Sequence, residues 1–445
     1  MTTLSRSIAL LCSLVALALS LAGSPARAEE VAASAVPVAS NAIAPVTDAW
    51  RAALPQDPEA ATQAYLARLS PQARARSDAY FEGGYRLSLW NVLLTLAISW
   101  VLLQTRPAQA ARRWCERLGK RRFVQVLAYG AFFVLASWLL SLPLTIYQGF
   151  VREHAYGMAT QTFAAWFGEQ LMSLGVALLI GPLFVLALYT VIRRFPRHWW
   201  LGATVVAMGF MVALLMLAPV YIEPLFNTYK PLADTPVKQS ILAMAHANGV
   251  PASNVYEFDA SRQTTRVSAN VSGLWGTASV RLNDNLLHKS SDPEILAVVG
   301  HEIGHFAMNH IAVSLVEFGL VIAAALAFVA WASTALSSRY GERWQLASVQ
   351  DVGSLPLLAA VFSVVMLFAT PVTNTITRTM EVEADLYGLN LAREPDGEAE
   401  ALLKLVEYRK AEPGPLEEMV FFDHPSAHTR IYNAMRWKAQ MQPKP

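Results

Sequence analysis

The residues in this chain best suited to do chemistry are His301-Glu302-Ile303-Gly304-His305. Residues four apart lie on one face of a helix, so His301 and His305 can grip a single zinc ion together. Glu302 stands one residue round from the first imidazole, where a carboxylate can take a proton from an attacking water. The implied chemistry is metal-assisted hydrolysis with Glu302 as general base. Local signals favour a helix here. Asp292 suits an N-cap and Pro293 the first helical position. Ile295, Leu296, Val298 and Val299 then supply an apolar face just before the box.

Two imidazoles call for a third ligand, often a carboxylate from a second helix. Asn374, Arg378, Glu381 and Asp385 are spaced four, three and four, which makes one polar stripe on a helix. Glu383 points elsewhere, so Glu381 is the expected third zinc ligand. Asp385, one turn on, is expected to hold a ligand imidazole from behind, and Arg378 to neutralise the acidic cluster. Alone, the stripe reads as a solvated, ion-paired face; its pairing with the HExxH box reverses that reading. The cluster from His424 to Arg430 leaves two readings open. His424 is either a turn residue before Pro425 or a donor to the oxyanion formed when water attacks a peptide carbonyl, and Arg430 is either a surface charge or a second such donor.

These residues need elements to position them, and composition says where those elements sit. The 445 residues are 54% hydrophobic and only 15% charged, with a mean hydropathy of +0.34. Soluble chains carry about 25% charged residues, so the deficit points to a membrane protein. A net charge of +2 offers no case for a nucleic-acid partner. The two cysteines, Cys12 and Cys115, form no metal-binding pattern, so a metal must be held by His and carboxylate.

Along the chain, residues 1–28 read as a signal peptide: Arg6, the apolar run Ile8 to Ala22, then Ala26-Arg27-Ala28. An uncleaved signal anchor is the alternative. Residues 29–86 form an extramembrane region with a short helix near Pro58 to Leu69. Residues 87–221 carry four spans, near Leu87–Leu103, Phe123–Tyr147, Leu171–Ile192 and Trp199–Tyr221. Residues 222–310 form a protease region with a strand at Val255–Asp259, a hairpin of Thr265–Leu274 and Thr277–Leu282 turned at Trp275-Gly276, and the HExxH helix. Residues 311–370 carry two more spans, Ile311–Leu336 and Leu355–Thr370. Residues 371–445 hold the second ligand helix, through Glu381 to Leu391, then helices from Glu398 to Arg409 and from about Ser426. Each span approaches or exceeds the ~20 residues a bilayer needs.

Basic residues crowd three loops on one side of this alternation. They are Arg106, Arg112, Arg113, Arg117, Lys120, Arg121 and Arg122; then Arg193, Arg194 and Arg197; then Arg339 and Arg343. The opposite loop, Gln148 to Gln170, has only Arg152. By the positive-inside rule the basic loops face the cytoplasm. The HExxH segment then faces outward, which in a bacterial inner membrane is the periplasmic side.

Taken together, the motifs resemble the CAAX prenyl protease 1 family of integral-membrane zinc endopeptidases. Gly300-His-Glu-Ile-Gly-His305 with Asn309-His310 is similar to that family's active-site helix. Asn374-x-x-x-Arg378-x-x-Glu381-x-x-Ala384-Asp385 is similar to its second zinc helix, and His424-Pro425-Ser426 with Arg430 to its C-terminal box. Phe150-Val-Arg-Glu-His-Ala-Tyr-Gly157 and Tyr221-Ile-Glu-Pro-Leu-Phe226, leading to Lys230-Pro-Leu232, also resemble it.

The resemblance implies a mostly α, polytopic membrane protein. Six to seven transmembrane helices would enclose a water-filled chamber, joined to a gluzincin-like α+β zinc protease domain with a small β-hairpin or sheet. It implies one zinc per chain on His301, His305 and Glu381, with Glu302 as base and His424 and Arg430 touching substrate or transition state. Substrate would add as a strand near Ser268, Ala269 and Asn270; Ser268-Ala269 stands where the family has Asn-Ala. Glu317, inside the fifth span, would suit a polar chamber wall. The expected partners are the lipid bilayer and a membrane-associated peptide or protein substrate. The expected function is a zinc metalloendopeptidase, in prenyl-protein processing or in envelope quality control. A zinc-dependent membrane scaffold is the reading from another class.

Overall fold

The computed structural model describes residues 46–118, 121–272 and 279–441. Residues 1–28 and the Trp275-Gly276 turn lie outside them. Among the described residues, six helices are long and apolar enough to cross a membrane. After α1 (Pro58–Leu66) comes the first span, α2 (Pro71–Gln104). It starts well before the apolar run because Ser70 caps it, accepting from Ala73 N at 3.1 Å, and Pro71 opens its first turn. An amphipathic helix, α3 (Arg106–Arg117), leads to the second span, α4 (Arg122–Ile146), which a π turn extends to Ala155. The third and fourth spans are α5 (Phe163–Arg194) and α6 (Trp199–Leu217). The protease region opens with α7 (Pro236–Ala247) and reaches the HExxH helix, α8 (Asp292–Ala307). The fifth and sixth spans are α9 (His310–Trp344) and α10 (Leu355–Ala392), followed by α11 (Pro395–Leu405), α12 (Pro415–Phe421) and α13 (Ala427–Met441).

The spans pack chiefly on their neighbours in a ring: α2 on α10, α10 on α9, α9 on α6, α6 on α5, α5 on α4, and α4 back on α2. No span buries more than 39% of its apolar window inside the protein. Glu317 is half-buried on α9 and makes no hydrogen bond or ion pair among the described residues.

The sixth span departs from the sequence reading. A break after Thr370 was expected, but α10 runs 38 residues without one. Pro371 removes only its own N–H from the ladder, and Thr375 Oγ1 donates to the Pro371 carbonyl at 2.7 Å. At 1.5 Å per residue, Asp385 stands about 45 Å along this rod from Leu355. The basic loops gather at the Leu355 end. There Arg112 Nη2 lies 2.6 Å from Asp351 Oδ2, Arg193 Nε donates to Gln350 O, and Arg343 Nε donates to Gln104 Oε1. The HExxH helix packs at the other end.

Four short strands, β1 (Tyr229–Pro231), β2 (Val255–Phe258), β3 (Ala269–Ser272) and β4 (Ser279–Asn283), form one sheet in the order β1-β2-β4-β3. β2 and β4 are parallel; β3 and β4 are antiparallel, with Ala269 opposite Leu282 and Ser272 opposite Ser279. Ile295, Val299 and Ile303 of α8 are buried against Ile241, Val255, Val280 and Leu282. That apolar face, spaced by fours, turns the box's histidines away from the sheet. The cap of α8 is Ser291 rather than Asp292; Pro293 sits inside the first turn, and Asp292 becomes an acidic first-turn residue favoured by the helix dipole.

Candidate active site

The site begins with two backbones that nearly touch. A Cβ on Gly388 of α10 would fall 2.7 Å from His301 N, and one on Gly304 of α8 would fall 3.1 Å from Ala384 O. Only glycine permits this crossing, and the crossing brings the box's histidines onto the acidic stripe of α10. Gly388→Ala is therefore expected to cost about 1–3 kcal/mol by overpacking and to lower bound metal per chain. Thermal unfolding and metal analysis of the purified variant check this; wild-type values in both would refute the tight-crossing argument.

At the crossing, His301 Nε2 and His305 Nε2 lie 3.1 Å apart. Glu381 reaches them both, with Oε2 3.3 Å from His301 Nε2 and Oε1 3.5 Å from His305 Nε2. One donor atom from each of the three residues lies within 4.8 Å of the others. The other ring nitrogens are tied back. His301 Nδ1 lies 2.8 Å from Asp385 Oδ1, which assigns the proton to Nδ1 and leaves the Nε2 lone pair facing the cluster. His305 Nδ1 lies 2.8 Å from His310 Nδ1, whose Nε2 lies 3.1 Å from Glu383 Oε2. Glu381 Oε2 is buried without a hydrogen-bond partner among the described residues. Burial opposes charge on His301, yet the neighbouring carboxylates of Asp385 and Glu381 overcome it and push its pKa up to about 10. An orphaned carboxylate oxygen, two converging lone pairs and this surplus of negative potential fit a divalent cation, and two nitrogens with one oxygen suit zinc.

Around this centre the remaining residues fall into three groups. The first stands behind His301. Arg430 gives Nε at 2.8 Å and Nη2 at 2.5 Å to Asp385, and its Nη2 lies 3.8 Å from Glu398. Burial and the neighbouring Asp385 push Glu398 up to about 7, with Arg430 opposing. Arg430 is thus bound to the carboxylate that orients His301. The second group faces Glu381 from the other side. His424 Nε2 lies 3.2 Å from Glu381 Oε2, and its Nδ1 lies 2.9 Å from Asp423 Oδ1. Burial lowers the His424 pKa, and the Asp423 hydrogen bond only partly offsets it. The third group holds that loop. Asn374 Nδ2 donates to Val420 O at 2.9 Å, and Arg378 Nη1 donates to Glu418 O and Phe422 O. Arg378 was expected to neutralise the acidic cluster; it caps the end of α12 instead, because the Glu418 and Phe422 carbonyls there are the acceptors within its reach.

Glu302 lies on the wall of a cavity of about 180 Å³ shared with His301, Glu381, His424 and Arg430. Burial pushes its carboxyl up from the ordinary range, with His301 and His305 offsetting part of the shift. Ser268 and Ala269 line the same cavity. β3 is an edge strand, so its far side has no strand partner among the described residues. Asn270 is not on the cavity wall, and its Oδ1 is buried without a partner among the described residues. The chain just before β3 is pinned to the loop between the second and third spans. Arg266 Nη2 lies 2.6 Å from Glu153 Oε2, Tyr80 OH donates to Glu153 Oε1 at 2.7 Å, and Thr264 Oγ1 donates to Met158 O.

Comparison with known proteins places this geometry. Residues 56–228 match the model described as CAAX prenyl protease N-terminal, five membrane helices. Residues 231–438 match peptidase family M48. The "Uncharacterized metalloprotease YhfN" of Bacillus subtilis is 30% identical over 370 residues, covering 82% of this chain and 86% of that protein. The chain belongs to peptidase family M48, among its CAAX prenyl protease 1-like membrane metalloproteases. CAAX prenyl protease 1 of Saccharomyces cerevisiae is 28% identical over 312 residues, covering 66% of this chain and 68% of that protein. The crystal structure of S. mikatae Ste24p shares the fold, with a TM-score of 0.64 at 20% identity over 96% of this chain and 98% of that one. As an M48 member the protein is an integral, multi-pass membrane metalloendopeptidase of a zinc-dependent family, acting on peptide or protein substrates.

The sequence reading had not singled out the contact of His305 with His310 and Glu383. Glu383 lies off the stripe of α10, and its role depends on α9 starting beside α8. Asn309, at φ 56, makes that sharp start. A left-handed Asn between two helical runs was the available signal.

Proposed function

We propose that the protein is a zinc endopeptidase in which His301, His305 and Glu381 hold the metal and Glu302 is the general base. The observation that carries this reading is the convergence of those three side chains within 4.8 Å of one another, with His301 and Glu381 on the wall of the cavity that Glu302 also lines. Zinc bound there supplies Lewis-acid polarisation of the scissile carbonyl and acidifies the attacking water. Glu302 takes that water's proton and delivers it to the leaving amine; its raised pKa suits both halves of the task. Asp385 orients His301, and His310, backed by Glu383, orients His305. His424, held through Nδ1 by Asp423 on the far side of Glu381, is placed to contact the substrate beside the metal. A substrate segment pairs with the free edge of β3 at Ser268 and Ala269, so main-chain hydrogen bonds supply affinity with little demand on sequence.

We infer further that the site faces away from the cytoplasm, on the periplasmic side of a bacterial inner membrane. The basic loops meet at the opposite end of the spans from the HExxH helix, which supports this orientation. It favours unstructured polypeptides of the envelope, a quality-control substrate class, over prenyl-proteins made in the cytosol.

The detergent-purified protein is expected to cleave a quenched unstructured peptide, to lose that activity to a chelator, and to regain it with zinc. Cleavage that survives full metal removal would end the metallopeptidase reading. Bound zinc without any hydrolysis would favour a scaffold.

A further inference from the structure

Arg409 is the cation in the cavity for which the described residues supply no partner. It lines the cavity with His301, Glu302, Glu381 and His424, and also a smaller pocket walled by Phe81, Leu402, Leu405 and Phe422. Its guanidinium makes no hydrogen bond or ion pair with the described residues. The neighbouring cations are all matched: Arg430 by Asp385, Lys404 by Glu294, and Lys410 by Glu82 and Glu417. Asp423, the nearby carboxylate best placed to serve it, is bound to His424. Burial and the charge of Arg430 both work against the Arg409 cation. Its backbone is nevertheless held, because Ser77 of α2 donates to the Arg409 carbonyl at 3.0 Å. A half-buried guanidinium keeps five donors that favour a planar oxyanion, and a carboxylate matches them in two parallel hydrogen bonds.

We propose that Arg409 forms a carboxylate-binding subsite of the catalytic cavity, taking a carboxylate on the substrate peptide. This rests on the peptidase reading above. The carboxylate has two possible sources, the free C-terminus of a peptide or an Asp or Glu side chain.

Binding separates them without requiring turnover. One fluorescent apolar hexapeptide is made as the free acid, as the C-terminal amide, and as the amide with one internal Glu. Its Kd is measured by anisotropy for the full-length protein, Arg409→Lys and Arg409→Gln, with thermal unfolding and metal content as folding controls. In the wild type, one carboxylate form is expected to bind about tenfold or more tighter than the plain amide. The advantage should shrink in Arg409→Lys and vanish in Arg409→Gln. An advantage for the free acid identifies the chain end, and one for the Glu peptide identifies a side chain; both support the subsite. Equal binding of all three forms by the wild type overturns it, as does an advantage that survives in folded Arg409→Gln. The readout is affinity, so failure here is distinct from failure to hydrolyse, which would strike the peptidase reading instead.

Discussion

Glu302→Gln is expected to reduce peptide hydrolysis by about a thousandfold or more while leaving bound zinc at one per chain. The amide keeps the shape of the carboxylate but cannot accept the water's proton, and general-base steps are worth ~10²–10⁴-fold. Glu302 contributes no atom to the convergent group of His301, His305 and Glu381, so metal retention should not change. Retained activity in Glu302→Gln would remove Glu302 from the mechanism. Lost metal would show that its role is structural.

Asp385→Ala should damage both stability and metal binding. Asp385 is buried, accepts two hydrogen bonds from Arg430 and lies 2.8 Å from His301 Nδ1. Its removal leaves the buried Arg430 charge with only Glu398, 3.8 Å away, a loss of about 3–5 kcal/mol. It also frees the His301 ring, and the loss of such an orienting partner typically costs ~10–100-fold in metal affinity. The double variant Asp385→Leu/Arg430→Met separates these effects. With both charges gone, thermal stability should largely return, while metal affinity and hydrolysis stay low. Recovery of metal binding in the double variant would show that Asp385 acts only through the Arg430 charge.

Several features of the site could be read one helix at a time. His301 and His305 share a face because they are four apart. The same arithmetic puts Glu381 and Asp385 on one side of α10 and Glu383 on another. The apolar positions Ile295, Val299 and Ile303 determine which face of α8 the sheet takes, and so which face is left for the histidines. The apolar spans and their basic loops are likewise legible, since bilayer thickness sets a length and composition.

Other features had no such local signature. Arg378 follows the acidic stripe in spacing, yet it reaches carbonyls of α12 forty residues on. Arg430 reads in sequence as either a surface charge or an oxyanion donor, and in space it is committed to Asp385. His310 and Glu383 meet only because α9 leaves α8 at the left-handed Asn309.

The sequence by itself determined the chemistry: which side chains could hold a metal, which could move a proton, and that the chain lives in a membrane. Residue type and periodicity encode these directly. The tertiary structure alone decided which helix face meets which. It set the glycine crossing that brings α8 onto α10, the pairing of Arg430 with Asp385, and the absence of a partner for Arg409 among the described residues. Those facts depend on distances between segments far apart in the chain, and spacing along one helix carries no information about the neighbour it will meet.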